Sequence, residues 1–176
     1  MRKCILFIAM SLDGYIADKN GGVDWLAGHG SDDENIDTYS EFAKGIDTVL
    51  MGRNTYHQIT AELSPHNWIY SDFTTYVMTH HSCTSTENIR FTDTDPEELV
   101  KCLKQRPGKD IWICGGADLA GQLMSADHID MYHITVIPTL LGAGTRLFKN
   151  EHPEIKLHLV RTQSYNGMTE LIYTKR

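Results

Sequence analysis

Two short stretches hold the residues with the strongest claim to chemistry. Gly52-Arg53-Asn54-Thr55 and Gly115-Gly116-Ala117-Asp118 each follow an apolar run and precede apolar residues at helical spacing. After the first come Tyr56, Ile59 and Leu63; after the second come Leu119, Leu123 and Met124. Each therefore reads as strand, glycine turn, helix. Such a turn leaves backbone N–H groups bare at a helix start, where the macrodipole favours an anion and a phosphate is the usual guest. Arg53 adds a fixed positive charge whose planar fork matches a phosphate, and Thr55 adds a hydroxyl donor. A glycine pair alone is as well explained as a plain structural turn. Two such turns, each at the carboxyl end of a predicted parallel strand, can face one crevice and point to the phosphates of a dinucleotide. Neither has the Gly-x-Gly-x-x-Gly spacing of an ordinary Rossmann fingerprint.

The elements that must position these turns are legible in order. Ile5–Met10 is a nearly continuous apolar strand, of the kind buried on both faces of a sheet. Residues 11–31 form a long loop with Tyr15, Ile16 and Trp25 scattered through it, a length typical of active-site lids. Ser31 with Glu34 predicts a capping box, followed by one helix whose face carries Ile36, Tyr39, Phe42 and Ala43. Strands follow at 47–51 and 74–79. A helix capped by Asp93 or Thr94, with Pro96 just inside, ends at Gly108. Strands at 111–114 and 129–137 come next. The tail alternates over 155–163 and 168–174 about Asn166-Gly167, a pair favoured in tight hairpins. The expected architecture is α/β: a mostly parallel central sheet between helical layers, with an antiparallel C-terminal hairpin at its edge, in one domain over residues 1–176. Ligands of such sheets bind outside the carboxyl ends of the strands.

The chain has 176 residues and a net charge of −7, with 41% hydrophobic and 22% charged residues. That balance speaks against charge-driven binding to nucleic acid or to an anionic membrane surface. No run approaches transmembrane length, and the apolar N-terminal run reads as a strand rather than a leader. The four cysteines lack Cys-x-x-Cys spacing and read as reduced thiols of a cytoplasmic protein. Among the nine histidines no pair has the spacing of a helical zinc site, and no metal is expected. No Gly-x-Ser-x-Gly elbow is present for a nucleophilic enzyme.

Four segments together resemble the dihydrofolate reductase-like superfamily, and within it the stand-alone relatives of the riboflavin-biosynthesis (pyrimidine) reductase domain. They are Ala9–Ala17 with Gly22–Leu26, Val49–Tyr56, Ile113–Ala117 and Pro138–Phe148, in the order and spacing of that group. The resemblance implies a dihydrofolate reductase-like three-layer fold, a homodimer and NADPH as cofactor. It implies hydride transfer to a C=N bond of a pyrimidine, pterin or related heterocycle. Ala9 and Ile16 would border the nicotinamide, and Gly21 and Gly22 would belong to a mobile loop closing over it. Gly52, Arg53, Asn54 and Thr55 would hold the 2′-phosphate and pyrophosphate. Thr79 and His80 would lie along the adenosine, and Gly115, Gly116, Ala117, Asp118, Leu119 and Ala120 would take the pyrophosphate. Asp13 is the candidate catalytic carboxylate, its alternative an Asx-type turn with Gly14. Asp13, Trp25, Asp32 and Tyr39 are the candidate substrate contacts; Asp32, with its acidic neighbours, serves equally as a first-turn acid. Tyr56–Pro65 lacks the Asp-Asn/Asp-Pro-x-Leu-Thr segment of the riboflavin-pathway enzymes, which separates this chain from their ribityl-phosphate substrate. The other reading is a nucleotide-binding domain of the same fold without turnover.

Overall fold

The computed structural model describes residues 1–149 and 152–176. Its frame is an eight-stranded sheet. In chain order the strands are β1 (Cys4–Ser11), β2 (Tyr15–Ala17), β3 (Ile46–Gly52), β4 (Thr74–Met78), β5 (Ile89–Thr92), β6 (Asp110–Gly115), β7 (Met131–Ile137), β8 (Thr145–Arg146), β9 (Leu157–Tyr165) and β10 (Met168–Lys175). The main sheet runs β5-β4-β3-β6-β1-β7-β10-β9, while β2 and β8 pair separately. All pairings from β5 across to β7 are parallel; β10 then joins β7 antiparallel, and β9 joins β10 in the hairpin.

Helices cover both faces. The helices are α1 (Thr38–Ala43), α2 (Arg53–Gln58), α3 (Pro96–Gln105) and α4 (Ala117–Ser125), and α2 runs on into a π-helical turn over Ile59–Leu63. One core cluster packs Leu6, Leu50, Ile111, Ile113 and Ile134 against Val100 and Leu103 of α3 and Leu119, Leu123 and Met124 of α4. The other packs Ile5, Val49, Met51 and Trp112 against Ile59, with Phe7, Phe42 and Tyr56 at its margin. Alternate residues of each strand thus feed opposite cores, which is the three-layer α/β arrangement that strand periodicity requires.

Three local expectations are corrected. The segment after Ser31 is not one helix: a 3-10 turn over Asp32–Glu34 ends at an extended Asn35, and α1 starts afresh with Asp37 accepting from Ser40 N–H. Side-chain bonds to local backbone compete with helix continuation here, as Asp and Asn side chains often do. The cap of α3 is Asp95, which accepts from the N–H groups of Glu97 and Glu98, rather than Asp93 or Thr94. Strand β5 was not anticipated, because an edge strand of four residues with Arg90 in its middle lacks a buried apolar run. The Asn166-Gly167 turn is as expected, with both residues at positive φ.

At the sheet's amino end a buried arginine joins three elements. Arg2 donates through Nε to the Lys109 carbonyl and through its guanidinium to the Asp47 carboxylate. The same guanidinium reaches Thr48 Oγ1 at 2.7 Å. The Arg2 side chain is 6% exposed and that of Asp47 38%. Arg2→Ala should lower stability by about 2–3 kcal/mol, below the full cost of breaking a buried pair because Asp47 keeps contact with water. The check is urea denaturation, read as a lower midpoint with an unchanged slope.

Candidate active-site crevice

The carboxyl ends of β3 and β6 are neighbours in the sheet, and Met51 pairs with Gly115. This adjacency brings the two glycine turns into contact. A Cβ on Gly52 would lie 3.8 Å from the Gly116 nitrogen, and one on Gly116 would lie 3.4 Å from Thr55 Oγ1. The peptide between Gly115 and Gly116 is cis. Gly52 caps α2 and Gly116 caps α4, and neither offers a side chain to the first-turn amides. Two helix starts with unsatisfied N–H groups therefore meet at one point. Arg53 and Asn54 are exposed beside it, and Thr55 is half-buried. Arg53 has no ion pair among the described residues.

The remaining positions of the second turn divide by role. Ala117, Leu119 and Ala120 are buried, so their side chains belong to the core and only their backbone faces outward chemistry. Ala120 N–H bonds the Gly116 carbonyl, which closes the first turn of α4. Asp118 is exposed and ion-paired with Lys149. At the end of β4, Thr79 is buried and its hydroxyl accepts from His81 N–H at 3.1 Å, while His80 is exposed.

The loop after β1 is drawn to the same place. Asp18 Oδ1 accepts from the N–H groups of Asn20 and Gly22 at 2.7 and 2.9 Å, shaping the turn that carries Gly21. Gln58 of α2 donates to the Gly21 carbonyl at 2.8 Å. Trp25 Nε1 donates to the Gly22 carbonyl at 3.2 Å. At the loop's base, Gly144 has φ +143, and a Cβ there would sit 2.1 Å from the Ala17 carbonyl oxygen, so only glycine fits. Ala9 and Ile16 are half-buried on either side of this loop.

The floor on the α1 side is aromatic. Phe7 stacks on Phe42 with centroids 4.1 Å apart, and the His133 ring meets Phe7 edge-on at 4.6 Å. Tyr39 lies 6.4 Å from Phe7 and 5.9 Å from Trp112. Cys114 is next in this row, its Sγ 3.9 Å from the Tyr70 hydroxyl; burial pushes its thiol up to about 12, which keeps it a neutral thiol. Asp32 stays exposed in the 3-10 turn, where its carboxylate accepts from the Asn35 side chain at 3.4 Å.

Asp13, the candidate catalytic carboxylate, sits at the junction of two loops. Its carboxylate accepts from Ser11 Oγ at 2.6 Å, from Gly142 N–H at 2.8 Å and from Leu141 N–H at 3.1 Å. Chiefly the Ser11 hydroxyl, with the two backbone donors, lowers its pKa from 3.8 to about 2. At neutral pH the ionised carboxylate ties the loop after β1 to the loop after β7. The residues that sequence reasoning missed are Phe7, Gln58, His133 and Glu170. The signal for the last two was a polar residue inside an otherwise apolar strand, His133 within Tyr132–Ile134 and Glu170 among Met168, Leu171 and Ile172.

The fold and this crevice define an α/β protein of the dihydrofolate reductase-like kind. The chain belongs to the family described as the RibD C-terminal domain, which matches residues 2–170. It is 39% identical over 175 residues to the uncharacterized protein YwjB of Bacillus subtilis (strain 168), covering 99% of this chain and 98% of that one. Its structure is similar to that of a putative riboflavin biosynthesis protein from Shewanella sp. PV-4, with TM-score 0.86, 26% identity and 99% of each chain covered. The dihydrofolate reductase of Enterococcus faecalis, solved with NADP(H), shares the fold at TM-score 0.68 and 19% identity, over 99% of this chain and 96% of that one. Among the described residues no helix is long and apolar enough to cross a membrane.

The depressed pKa of Asp13 sets a pH dependence. The folded protein binds this proton more weakly than the unfolded chain, so the tie contributes stability above about pH 4. That contribution is lost as pH falls from about 4 toward 2. Asp13→Asn should therefore flatten the acid limb of the stability curve in that window and lower stability by a constant amount above it, measured by urea midpoints at stepped pH.

Proposed function

We propose that the chain is an NADPH-dependent reductase acting on a C=N bond of a pyrimidine- or pterin-like small molecule. The observation that carries this reading is the contact between two uncapped helix starts at Gly52 and Gly116, with the free guanidinium of Arg53 alongside. The donor set fits a dinucleotide: backbone N–H groups suit a pyrophosphate, and an exposed Arg suits an additional phosphate. When bound, NADPH supplies the hydride. Arg53, Asn54 and Thr55 would hold the 2′-phosphate end. The first-turn amides of α4 would hold the pyrophosphate. Ala9 and Ile16 would leave room for a flat ring between β1 and the loop tied by Gln58. That loop would cover the ring and keep water away, which strengthens every electrostatic contact beneath it. The aromatic floor of Phe7, Phe42 and Tyr39 suits a planar heterocycle.

A second reading, a nucleotide-binding domain without turnover, is favoured by one observation: the carboxylate of Asp13 is already engaged by Ser11, Leu141 and Gly142. Purified protein incubated with NADPH and a panel of pyrimidines, pterins and flavins separates the two. Oxidation of NADPH, followed at its own absorbance band, supports the reductase; tight binding with no oxidation of any panel member supports the second reading.

Arg53→Ala should weaken NADPH by roughly tenfold to a hundredfold, as expected for loss of hydrogen bonds to a charged group. NADH, which lacks the 2′-phosphate, should lose far less. Calorimetric titration of both cofactors checks this, and equal losses contradict the assignment.

The same proposal includes a cytoplasmic location, which the four free thiols support, and a homodimer built on the β9 edge. In the described sheet β9 has a strand on one side only, and Leu159 and Val160 stand 45% and 53% exposed along it. Light scattering after size exclusion should give twice the mass of one chain, and Leu159→Lys with Val160→Lys should return the single-chain mass.

A further inference from the structure

His133 of β7 and Glu170 of β10 form a buried polar pair. His133 is 7% and Glu170 1% exposed. His133 Nε2 and Glu170 Oε1 lie 2.7 Å apart. Neither atom reaches hydrogen-bond geometry with any partner, so the contact is close but poorly aligned. The other carboxylate oxygen of Glu170 accepts from the Gln163 side chain.

Register places this pair on the crevice face of the sheet. Phe7 pairs with His133, and His133 with Ile172; Ala9 pairs with Thr135, and Thr135 with Glu170. Residues in register project to one face, and so do residues two apart on a strand. Phe7, Ala9, His133, Thr135 and Glu170 therefore share a face, the one covered by Phe42 of α1. His133 meets Phe7 at 4.6 Å and Phe42 at 6.0 Å, both edge-on. Aromatic walls around one polar group are the usual make-up of a small-molecule pocket. A buried polar atom without an aligned partner calls for a reason.

We propose that His133, held by Glu170, is the specificity-determining anchor for the substrate, and that it selects a planar heterocycle bearing an N–H or amino donor. This deepens the reductase reading and rests on it. A carboxylate oxygen 2.7 Å from Nε2 assigns the proton of the neutral ring to Nε2 and leaves the lone pair on Nδ1. A lone pair at an aromatic floor accepts an N–H and gives nothing to an ether or a methyl group. Glu170 is the positioning residue: it fixes the ring's plane and tautomer and touches no ligand itself, being the more buried of the two. Thr135, half-buried and beside Ala9, adds a hydroxyl on the same row.

The probe is 2,4-diaminopyrimidine, compared with 2,4-dimethoxypyrimidine, which has the same ring and no N–H donor. Both are titrated into NADPH-saturated protein carrying 15N-labelled histidine. The diamino compound should shift the ring nitrogens of His133, and the dimethoxy compound should not. His133→Phe, which keeps an aromatic ring against Phe7 and Phe42, should weaken the diamino compound at least tenfold and leave NADPH affinity within twofold. Glu170→Gln should change the tautomer signature of His133 in the free protein and weaken the diamino compound several-fold. A diamino compound that binds His133→Phe as tightly as wild type overturns the proposal. So does one that leaves His133 unshifted or fails to bind wild type, or a dimethoxy compound that binds equally well. An unaltered tautomer signature in Glu170→Gln removes the positioning role. Loss of NADPH binding by wild type is the separate failure, that of the cofactor reading.

Discussion

The constraint on which the rest depends is that β3 and β6 lie side by side. The chain leaves β1, crosses to β3, continues outward to β4 and β5, and returns to insert β6 between β3 and β1. Only that order brings the end of a strand in the first half against the end of a strand in the second. Both strands then turn into helices at glycine, and the two turns pack at contact distance, a Cβ on Gly52 lying 3.8 Å from the Gly116 nitrogen. The same adjacency that packs Leu50 and Ile113 into one core produces two helix starts sharing one focus. Core formation and the anion-attracting crevice are thus one structural event.

Around this focus the protein uses polar ties where apolar packing runs out. Arg2 fixes the opposite end of the sheet, so the strand ends at the crevice inherit a rigid base. Asp13 joins the loop after β1 to the loop after β7, and Gln58 joins the first of these to α2. These bonds lie at surfaces where each contributes modestly, but together they leave the long loop few alternative courses. The polar pair at His133 and Glu170 is of another kind, because it sits inside the aromatic layer where an imperfectly satisfied group is costly.

Much of this was readable in the sequence because it rests on local rules. The apolar runs at Ile5–Met10 and Ile111–Cys114 could only be interior strands, and Gly52 and Gly116 marked where each strand gave way to a helix. The Asn166-Gly167 hairpin followed from the φ angles those residues accept. What was not legible depended on distant partners. The break at Asn35, set by local capping, is also braced by Asn166, whose amide donates to Asn35 Oδ1 at 2.8 Å and to the Ser31 carbonyl at 3.0 Å. The engagement of Asp13 depends on amides at Leu141 and Gly142, far along the chain. Sequence reading leaves Asp13 between a catalytic carboxylate and an Asx-type turn with Gly14; its bonds to a distant loop are visible only in the fold. His133 and Glu170 meet across two antiparallel strands, and neither carries a local motif.

The tip of the last hairpin has a consequence for how the molecule is made. Asn166 binds Gly30 N–H, the Ser31 carbonyl and the Asn35 side chain, and its own carbonyl accepts from His29 N–H. The segment leading into α1 is therefore fastened by a turn synthesised more than a hundred residues later. As the chain emerges from the ribosome, β1, β3 and β6 can assemble while that segment still lacks its fastening. Until β9 and β10 arrive, the outer edge of β7 also lacks its antiparallel partner. A nascent chain stalled before the hairpin would present that unpaired strand edge to the surroundings, the kind of surface on which chaperones act.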